Sequence, residues 1–215
     1  MIKHLVEQRS EAWHDLRLAR ITGTGFANLM ATKTTGAYKN LIADTVAELI
    51  TGESDESDYV SIDMQYGIDT EPEARRCYED IFNCVVEQVG FVTPDEDHPF
   101  YDIVGVSPDG LTEDNGLVEI KCPKRSTHLY YIQSGKLPST YKWQVYGQLY
   151  VTGAKHCDFM SYVKGLKPFI IRVYPDEKIF AEIETELKMN TPDKKRSLLM
   201  RERRLKLADG HQASL

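Results

Sequence analysis

Apolar residues recur at helical spacing over two long stretches of this chain. Residues 38–51 carry apolar side chains three and four positions apart and end before Gly52, which predicts a helix packed against the core. Residues 63–82 show the same period and predict a second long helix. Four residues would form its buried face: Ala74, Tyr78, Ile81 and Phe82.

Stretches rich in β-branched residues predict the strands. Residues 84–93 and 101–107 would lead into a third strand at 117–122, and residues 156–163 and 169–174 predict two more. Because these stretches alternate with helical patterns, the chain is predicted to be an α/β protein with a mixed central β-sheet flanked by helices. Shorter helices are predicted over residues 11–18, 26–30, 126–133, 139–151 and 176–189.

The composition is that of a single globular domain. Of the 215 residues, 41% are hydrophobic and 27% charged, and we expect one domain over residues 1–207 with a disordered tail at 208–215. No apolar run approaches the ~18 residues that a membrane span needs, and the start of the chain lacks the apolar core of a signal peptide. The four cysteines include no CxxC pair, so neither a zinc site nor an iron–sulfur site is predicted.

The stretch most informative about chemistry is 107–123, which has the sequence SPDGLTEDNGLVEIKCP. Turn-forming residues occur at 108–110 and again at 113–116. The chain must therefore reverse direction before the apolar run at 117–122, and the pattern predicts a β-hairpin.

In the second strand of this hairpin, Glu119 and Lys121 would share one face while their apolar neighbours share the other, because successive strand side chains alternate. Mg²⁺ prefers hard oxygen ligands, and Asp109, Glu119 and the Ile120 carbonyl could supply three of them. Lys121 could then orient or deprotonate an attacking water, or offset charge on phosphoryl oxygens. The same residues also fit a solvated strand with a weak ion pair, so the short pattern alone leaves both interpretations open.

The longer string resembles the phage lambda exonuclease family, the YqaJ-like viral recombination exonucleases of the PD-(D/E)XK nuclease superfamily. Pro108 and Asp109 match the PD of that motif, and residues 119–121 match its (D/E)XK part. Similar segments flank the motif, so the resemblance extends over about residues 10–165. These segments are 12–18 with 21–22, 66–67 with Glu71, and 141–145 with 151–152.

The resemblance implies a restriction-endonuclease-like core that carries a metal-dependent nuclease site. The implied catalytic residues are Asp109, Glu119, Lys121 and Gln144. The implied metal ligands are Asp109, Glu119, the Ile120 carbonyl and Glu71. The implied ion is Mg²⁺, with Mn²⁺ as a substitute. Without the resemblance, Glu71 would be interpreted as a solvated residue in a helix.

The resemblance also implies a pocket for the 5′-phosphate of DNA, formed by Arg17, Thr24 and Ser107. Residues 21–25 are rich in glycine and hydroxyl side chains and precede a predicted helix, with Arg17 and Arg20 nearby. Amides and hydroxyls at such a position can bind an anion. An ordinary capped helix start explains the same residues, so this assignment depends on the resemblance. Thr24 stands where the family has serine.

The implied function is Mg²⁺-dependent 5′-to-3′ digestion of one strand of double-stranded DNA from an end, in phage-type homologous recombination by single-strand annealing. The family further implies a ring-shaped homotrimer, a phage single-strand annealing protein as partner, and the cytoplasm of a bacterial host cell, with no membrane. Two alternatives remain open: a PD-(D/E)XK endonuclease, and a non-catalytic DNA-end-binding recombination protein.

The net charge of −7 is unexpected for a protein that binds DNA phosphates. The acidic loop at 53–58 accounts for part of it. A last helix predicted after Pro192 carries seven Lys and Arg residues against two acidic ones. It is the clearest source of the missing positive charge, although the family is not obviously so basic there.

Overall fold

The computed structural model describes residues 1–54 and 60–190, which contain seven strands and seven α-helices. The predicted basic helix after Pro192 and the predicted tail at 208–215 lie outside the described residues, as does most of the acidic loop. In chain order the elements are β1 (Ile2–His4), α1 (Glu11–Arg17), α2 (Gly23–Leu29), α3 (Gly36–Thr51), α4 (Ile62–Phe82), β2 (Val86–Glu87), β3 (Phe91–Thr93), β4 (Gly110–Thr112), β5 (Gly116–Lys121), α5 (Arg125–Ser134), a 3-10 turn (Ser139–Tyr141), α6 (Lys142–Thr152), β6 (His156–Ser161), β7 (Phe169–Val173) and α7 (Glu177–Asn190).

Five of the strands form one mixed sheet in the order β2-β4-β5-β6-β7. The β5–β6 pair is parallel and the other three pairs are antiparallel. Strands β1 and β3 form a separate two-stranded antiparallel sheet. The predicted α/β fold with a mixed central sheet flanked by helices is therefore confirmed.

Strand β5 lies in the middle of the large sheet, and both of its faces are covered. Val118 and Ile120 pack against Ala74 and Tyr78 of α4. Leu117 belongs to the larger core cluster, to which α2, α6 and α7 contribute. Because side chains alternate along the strand, every second residue from Leu117 onward lies on the face that α2 and α6 cover.

The single strand predicted over 84–93 is two strands that belong to different sheets. Strand β2 pairs with β4, whereas β3 pairs with β1. Between them the backbone of Gly90 approaches Val6 so closely that a Cβ would lie 1.9 Å from the Val6 carbonyl oxygen. The chain thus changes sheets next to a close contact with a segment far away in the sequence.

The strand predicted over 101–107 is wrong. Within the described residues this segment forms only two isolated bridges, Ile21 with Val104 and Val92 with Val106. Val104 and Val106 are nevertheless fully buried in the core. The β-branched pattern signalled burial here, because a β-branched residue suits any packed extended backbone and does not require a partner strand.

The two long helices bury less of their surface than their periodicity predicts. Helix α3 ends as expected at Gly52, which has a left-handed φ of 73°, but Tyr38 is its one buried residue. In α4, Ile81 and Phe82 are exposed. Periodicity identifies an apolar face but does not say how far a neighbouring element reaches along it. Among the helices of the described residues, none has both the length and the apolar character that crossing a membrane requires.

Candidate active site

The predicted site lies at the carboxyl end of β5, beyond the point where β5 pairs with β4. The last residue pair of that hairpin is Gly110 with Val118. Two residues further along β5, the Ile120 N–H donates to Asp109 Oδ2 at 2.6 Å. The N–H and C=O groups of one strand residue point to the same side, so the Ile120 carbonyl also faces the side on which Asp109 lies.

Glu119 is almost completely buried, with a relative exposure of 1%. Its Oε1 accepts hydrogen bonds from Lys121 Nζ at 2.5 Å and from Gln144 Nε2 at 2.6 Å. Its Oε2 accepts from Gln148 Nε2 at 2.6 Å. The Lys121 ammonium also lies 5.4 Å from the centroid of the Tyr141 ring. Three further side chains thus contact this carboxylate and its lysine.

The charged groups of the site lie close together and away from solvent, and this determines the pKa values of Asp109 and Lys121. Burial and the neighbouring Glu119 carboxylate raise the pKa of Asp109 well above its usual range. Burial alone would lower the pKa of Lys121, but the Glu119 and Asp109 carboxylates outweigh it and raise that pKa. Lys121 is therefore a fixed positive charge beside the two acids.

The crowded pair of Asp109 and Glu119 fits a bound divalent cation, because a cation would relieve the repulsion that raises the pKa of Asp109. Together with the Ile120 carbonyl, the donors are all oxygens, which suit Mg²⁺ or Mn²⁺. Glu71 forms an ion pair with Arg75, yet it is near enough to add to the raised pKa of Asp109. In residues 1–54 and 60–190, no three acidic, His or Cys side chains are drawn together as a complete metal site.

Two of the three residues predicted to bind a 5′-phosphate, Arg17 and Ser107, contact Trp13. Trp13 Nε1 donates to Ser107 Oγ at 2.9 Å, and Ser107 is two residues before Asp109. The Arg17 guanidinium lies 4.0 Å from the centroid of the Trp13 ring. Trp13 thus contacts both residues, Arg17 over its ring and Ser107 at its indole N–H.

Thr24 lies in the first turn of α2, which starts at Gly23, three residues earlier than predicted. Its side chain is exposed. A Cβ on Gly23 would lie 3.6 Å from Gln144, so this helix start is adjacent to the Glu119 end of the site. Within the described residues no hydrogen bond joins Thr24 to Arg17 or Ser107.

The comparison with known families is consistent with this geometry. Residues 12–155 match the model of the YqaJ-like viral recombinase domain, which is well over half of the chain and includes every predicted site residue. The chain belongs to the YqaJ-like viral recombinase family. No curated protein matches it significantly.

Solved structures support the assignment to the YqaJ-like family. An alkaline exonuclease of Laribacter hongkongensis is 32% identical, with a TM-score of 0.73 over 95% of this chain and 98% of that one. The same exonuclease in complex with dAMP matches at 33% identity with the same TM-score and coverage. A phage-related exonuclease of Haemophilus somnus shares the fold at 10% identity, with a TM-score of 0.58 over 85% of this chain and 96% of that one.

The site predicted from the sequence did not include three residues of this YqaJ-like site. Gln148, fully buried, binds the second oxygen of Glu119. Arg75, also buried, binds Glu71 and donates from Nε to the Asp109 carbonyl at 3.3 Å. Gln148 and Arg75 each lie four residues from a predicted site residue, which was the available signal. For Trp13, no pattern in the sequence indicated its bridging position.

A cavity of about 350 Å³ opens beside Asp109. Its walls come from the segments at 6–9 and 88–90 and from α4, including Glu71 and Arg75. A second cavity of about 390 Å³ lies between α1, α2 and α3 and includes Arg17 but neither Asp109 nor Glu119. Of these two cavities, the smaller one includes Asp109 in its lining, and neither includes Glu119.

Proposed function

We propose that this protein is an exodeoxyribonuclease that digests one strand of double-stranded DNA from its 5′ end, using Mg²⁺ or Mn²⁺. The observation that carries the proposal is the juxtaposition of Asp109 with the buried Glu119 and with Lys121, at the carboxyl end of β5. The reaction class is supported by the family and by the similar alkaline exonuclease. The dAMP bound to that exonuclease is a mononucleotide, the kind of product that stepwise digestion releases.

In this proposal Asp109, Glu119 and the Ile120 carbonyl would hold the cation, and Glu71 would support it from α4. The cation, when bound, supplies positive charge to the reacting phosphodiester and lowers the pKa of an attacking water. Lys121 is kept charged by the two carboxylates, so it stabilises the negative charge that develops on the phosphoryl oxygens and orients the water. Gln144 holds Glu119 and presents its amide to the same region.

Arg17, Ser107 and Thr24 would bind the terminal 5′-phosphate and so determine the end from which digestion starts. Arg17 and Ser107 are supported by their shared contact with Trp13, and Ser107 by its closeness to Asp109. Thr24 is supported by its exposed position at the start of α2 next to Gln144. An arginine and two hydroxyls are suitable donors for a phosphate.

We further propose that the protein acts in phage-type recombination by single-strand annealing, as a homotrimer that cooperates with a phage annealing protein in the cytoplasm of a bacterial host cell. The family supports the recombination role. The homotrimer is what the resemblance to the phage lambda exonuclease family implies, and it would let several copies present their basic residues to one DNA. A monomeric mass in solution by light scattering would contradict the trimer.

The test is digestion of linear duplex DNA, labelled at either the 5′ or the 3′ end, beside a covalently closed circle. With Mg²⁺ the wild type should release mononucleotides from the 5′ end and leave the circle intact, and EDTA should stop the reaction.

Lys121→Ala should lose activity by a factor of about 10² or more, since it removes a charge that acts on the transition state. Lys188→Ala, which removes an exposed lysine of α7, is the matched control and should stay active.

Two outcomes would overturn this proposal. A cut circle would favour an endonuclease with the same catalytic residues. A wild type that binds DNA ends but digests nothing with Mg²⁺ or Mn²⁺ would favour a non-catalytic end-binding protein. Melting curves of both lysine variants show whether a loss of activity reflects a loss of folding.

A further inference from the structure

Arg9 has a backbone conformation that an arginine rarely adopts. The Ser10 N–H donates to the Glu7 carbonyl at 3.1 Å and closes a four-residue turn with Gln8 and Arg9 at its centre. Arg9 has a φ of 71°, and Gln8 does not share this positive φ. In a turn of this type the third residue is normally glycine or asparagine, because a Cβ is unfavourable there.

Contacts on both sides of the turn accompany this conformation. Gln8 Nε2 donates to the Val89 carbonyl at 3.2 Å. On one side the Val6 carbonyl packs directly on the backbone of Gly90, with no space for a Cβ. On the other side Ser10 caps α1 by accepting from the Trp13 N–H at 3.3 Å. The turn is therefore held at both ends, and any residue at position 9 must adopt the positive φ.

Arg9 lines the cavity beside Asp109. The charged residues of that lining are Glu7, Arg9, Glu71, Arg75 and Asp109. Arg75 is already engaged by Glu71 and the Asp109 carbonyl. Arg9 is exposed, and in the described part of the chain no hydrogen bond or ion pair fixes its guanidinium. It is thus the basic group of the cavity that is available to an anion from solution.

We propose that Arg9 binds a backbone phosphate of the DNA strand that enters this cavity, next to the phosphodiester that is cleaved. The proposal rests on the proposed function, which makes DNA the ligand. A strained backbone persists where the structure holds it, and strained residues concentrate at functional sites. Here the positive φ occurs at an exposed basic residue in the lining of a cavity whose other free charges are negative.

Substitution at this position separates the function of the side chain from its effect on folding. Arg9→Gly should leave the melting temperature unchanged or raise it, because glycine adopts a φ of 71° without a Cβ penalty. The same variant should weaken DNA binding. A residue with a merely structural role would instead lose stability when it is removed.

The experiment measures the affinity for a 5′-phosphorylated duplex by fluorescence anisotropy in EDTA, over a series of NaCl concentrations. Arg9→Gly and Arg9→Gln should each weaken binding about fivefold and reduce the salt slope by about one, the contribution of one phosphate contact. Arg9→Lys should keep most of the affinity and the slope. With Mg²⁺ the digestion assay should show the defect in KM more than in kcat. Lys188→Gln is the charge-matched control.

Unchanged affinity and slope in Arg9→Gln would overturn the proposal. A loss of DNA affinity in Arg9→Gly that Arg9→Gln does not share would also overturn the proposal, because the change in backbone conformation would then explain the weaker binding. Binding in EDTA does not require digestion, so the contact is measured independently of catalysis. A wild type that digests no DNA refutes the proposed reaction, whereas normal digestion by Arg9→Gln refutes the contact alone.

Discussion

At the scale of single residues, the site is built around the burial of one carboxylate. Glu119 would be costly to bury alone, because an ionised group without partners loses its hydration. Lys121, Gln144 and Gln148 together satisfy both of its oxygens. The two glutamines lie four residues apart on α6, so a single helix supplies an amide to each oxygen.

Gln148→Leu should reduce both stability and activity. The substitution leaves Glu119 Oε2 buried without its donor, which costs about 1–3 kcal/mol of unfolding free energy. Digestion should slow at least tenfold, because the carboxylate loses its fixed position. Gln144→Leu should cost less stability, since Gln144 is only half-buried. Urea denaturation and the digestion rate measure the two effects, and equal stability of both variants with the wild type would contradict this account.

At the scale of elements, the position of the site depends on how closely α2 packs on α6. Gly147 of α6 lies against the ring of Phe26 of α2, and a Cβ there would be 2.4 Å from ring atoms. The same packing brings Gly23 next to Gln144. A small residue in one helix thus allows the close approach that places the start of α2 beside the site.

Gly147→Ala should therefore destabilise the protein by about 1–3 kcal/mol through overpacking. It should also slow digestion, because moving α2 shifts α6 and its glutamines. Gly36→Ala is the matched control, since nothing lies within 4 Å of a Cβ at that first residue of α3. The control should keep full stability in thermal denaturation, and comparable losses in the two variants would contradict the packing argument.

On the opposite face of the sheet, a buried polar cluster connects α4 to β6 and β7. Tyr78 Oη donates to Asp158 Oδ2 at 2.6 Å, and Arg172 binds both oxygens of Asp158 at 2.8 and 2.7 Å. Asp158 pairs in register with Val118, so it faces α4 and not the Glu119 side. This cluster should support the fold without taking part in catalysis.

Tyr78→Phe should accordingly lower the unfolding free energy by about 2 kcal/mol, the contribution of a hydrogen bond to a buried charged group. The digestion rate below the melting temperature should stay within about twofold of the wild type. Tyr130→Phe, at an exposed tyrosine of α5, should change neither quantity. A large loss of rate in Tyr78→Phe with little loss of stability would contradict the structural role.

At the scale of the whole molecule, charge is the property hardest to reconcile with a DNA substrate. The chain carries 33 acidic residues against 26 Lys and Arg, and a duplex is itself strongly anionic. Seven of the basic residues fall in the predicted helix after Pro192, which lies outside the described residues. We expect this segment to contribute to DNA affinity through its charge.

Replacing Lys194, Lys195 and Arg196 with glutamine should weaken duplex binding and reduce the salt slope by up to about three, if each contacts one phosphate. The loss should be the same for unrelated DNA sequences, because phosphate contacts carry no sequence information. Lys178→Gln with Lys188→Gln, two exposed positions of α7, serves as the control. An unchanged slope in the triple variant would exclude this segment from the DNA interface.

The local sequence was sufficient to predict the hairpin and the face of β5 on which each residue lies. Turn residues at 113–116 and strict alternation beyond them predicted that Val118 and Ile120 would separate from Glu119 and Lys121, as observed. These features depend on a few neighbouring residues, whose backbone preferences and side-chain directions are local properties. The same string, with its flanking segments, identified the family that the comparison confirms.

Tertiary structure decided which groups surround those residues. Gln148 reaches Glu119 across 29 residues of chain, and Trp13 reaches Ser107 across 94. The division of the 84–93 segment between two sheets and the placement of Arg9 beside Asp109 likewise depend on contacts at Gly90. Such contacts are selected by how whole elements pack, since burial and close approach act between surfaces that are distant in sequence, and no local pattern records which surfaces will meet.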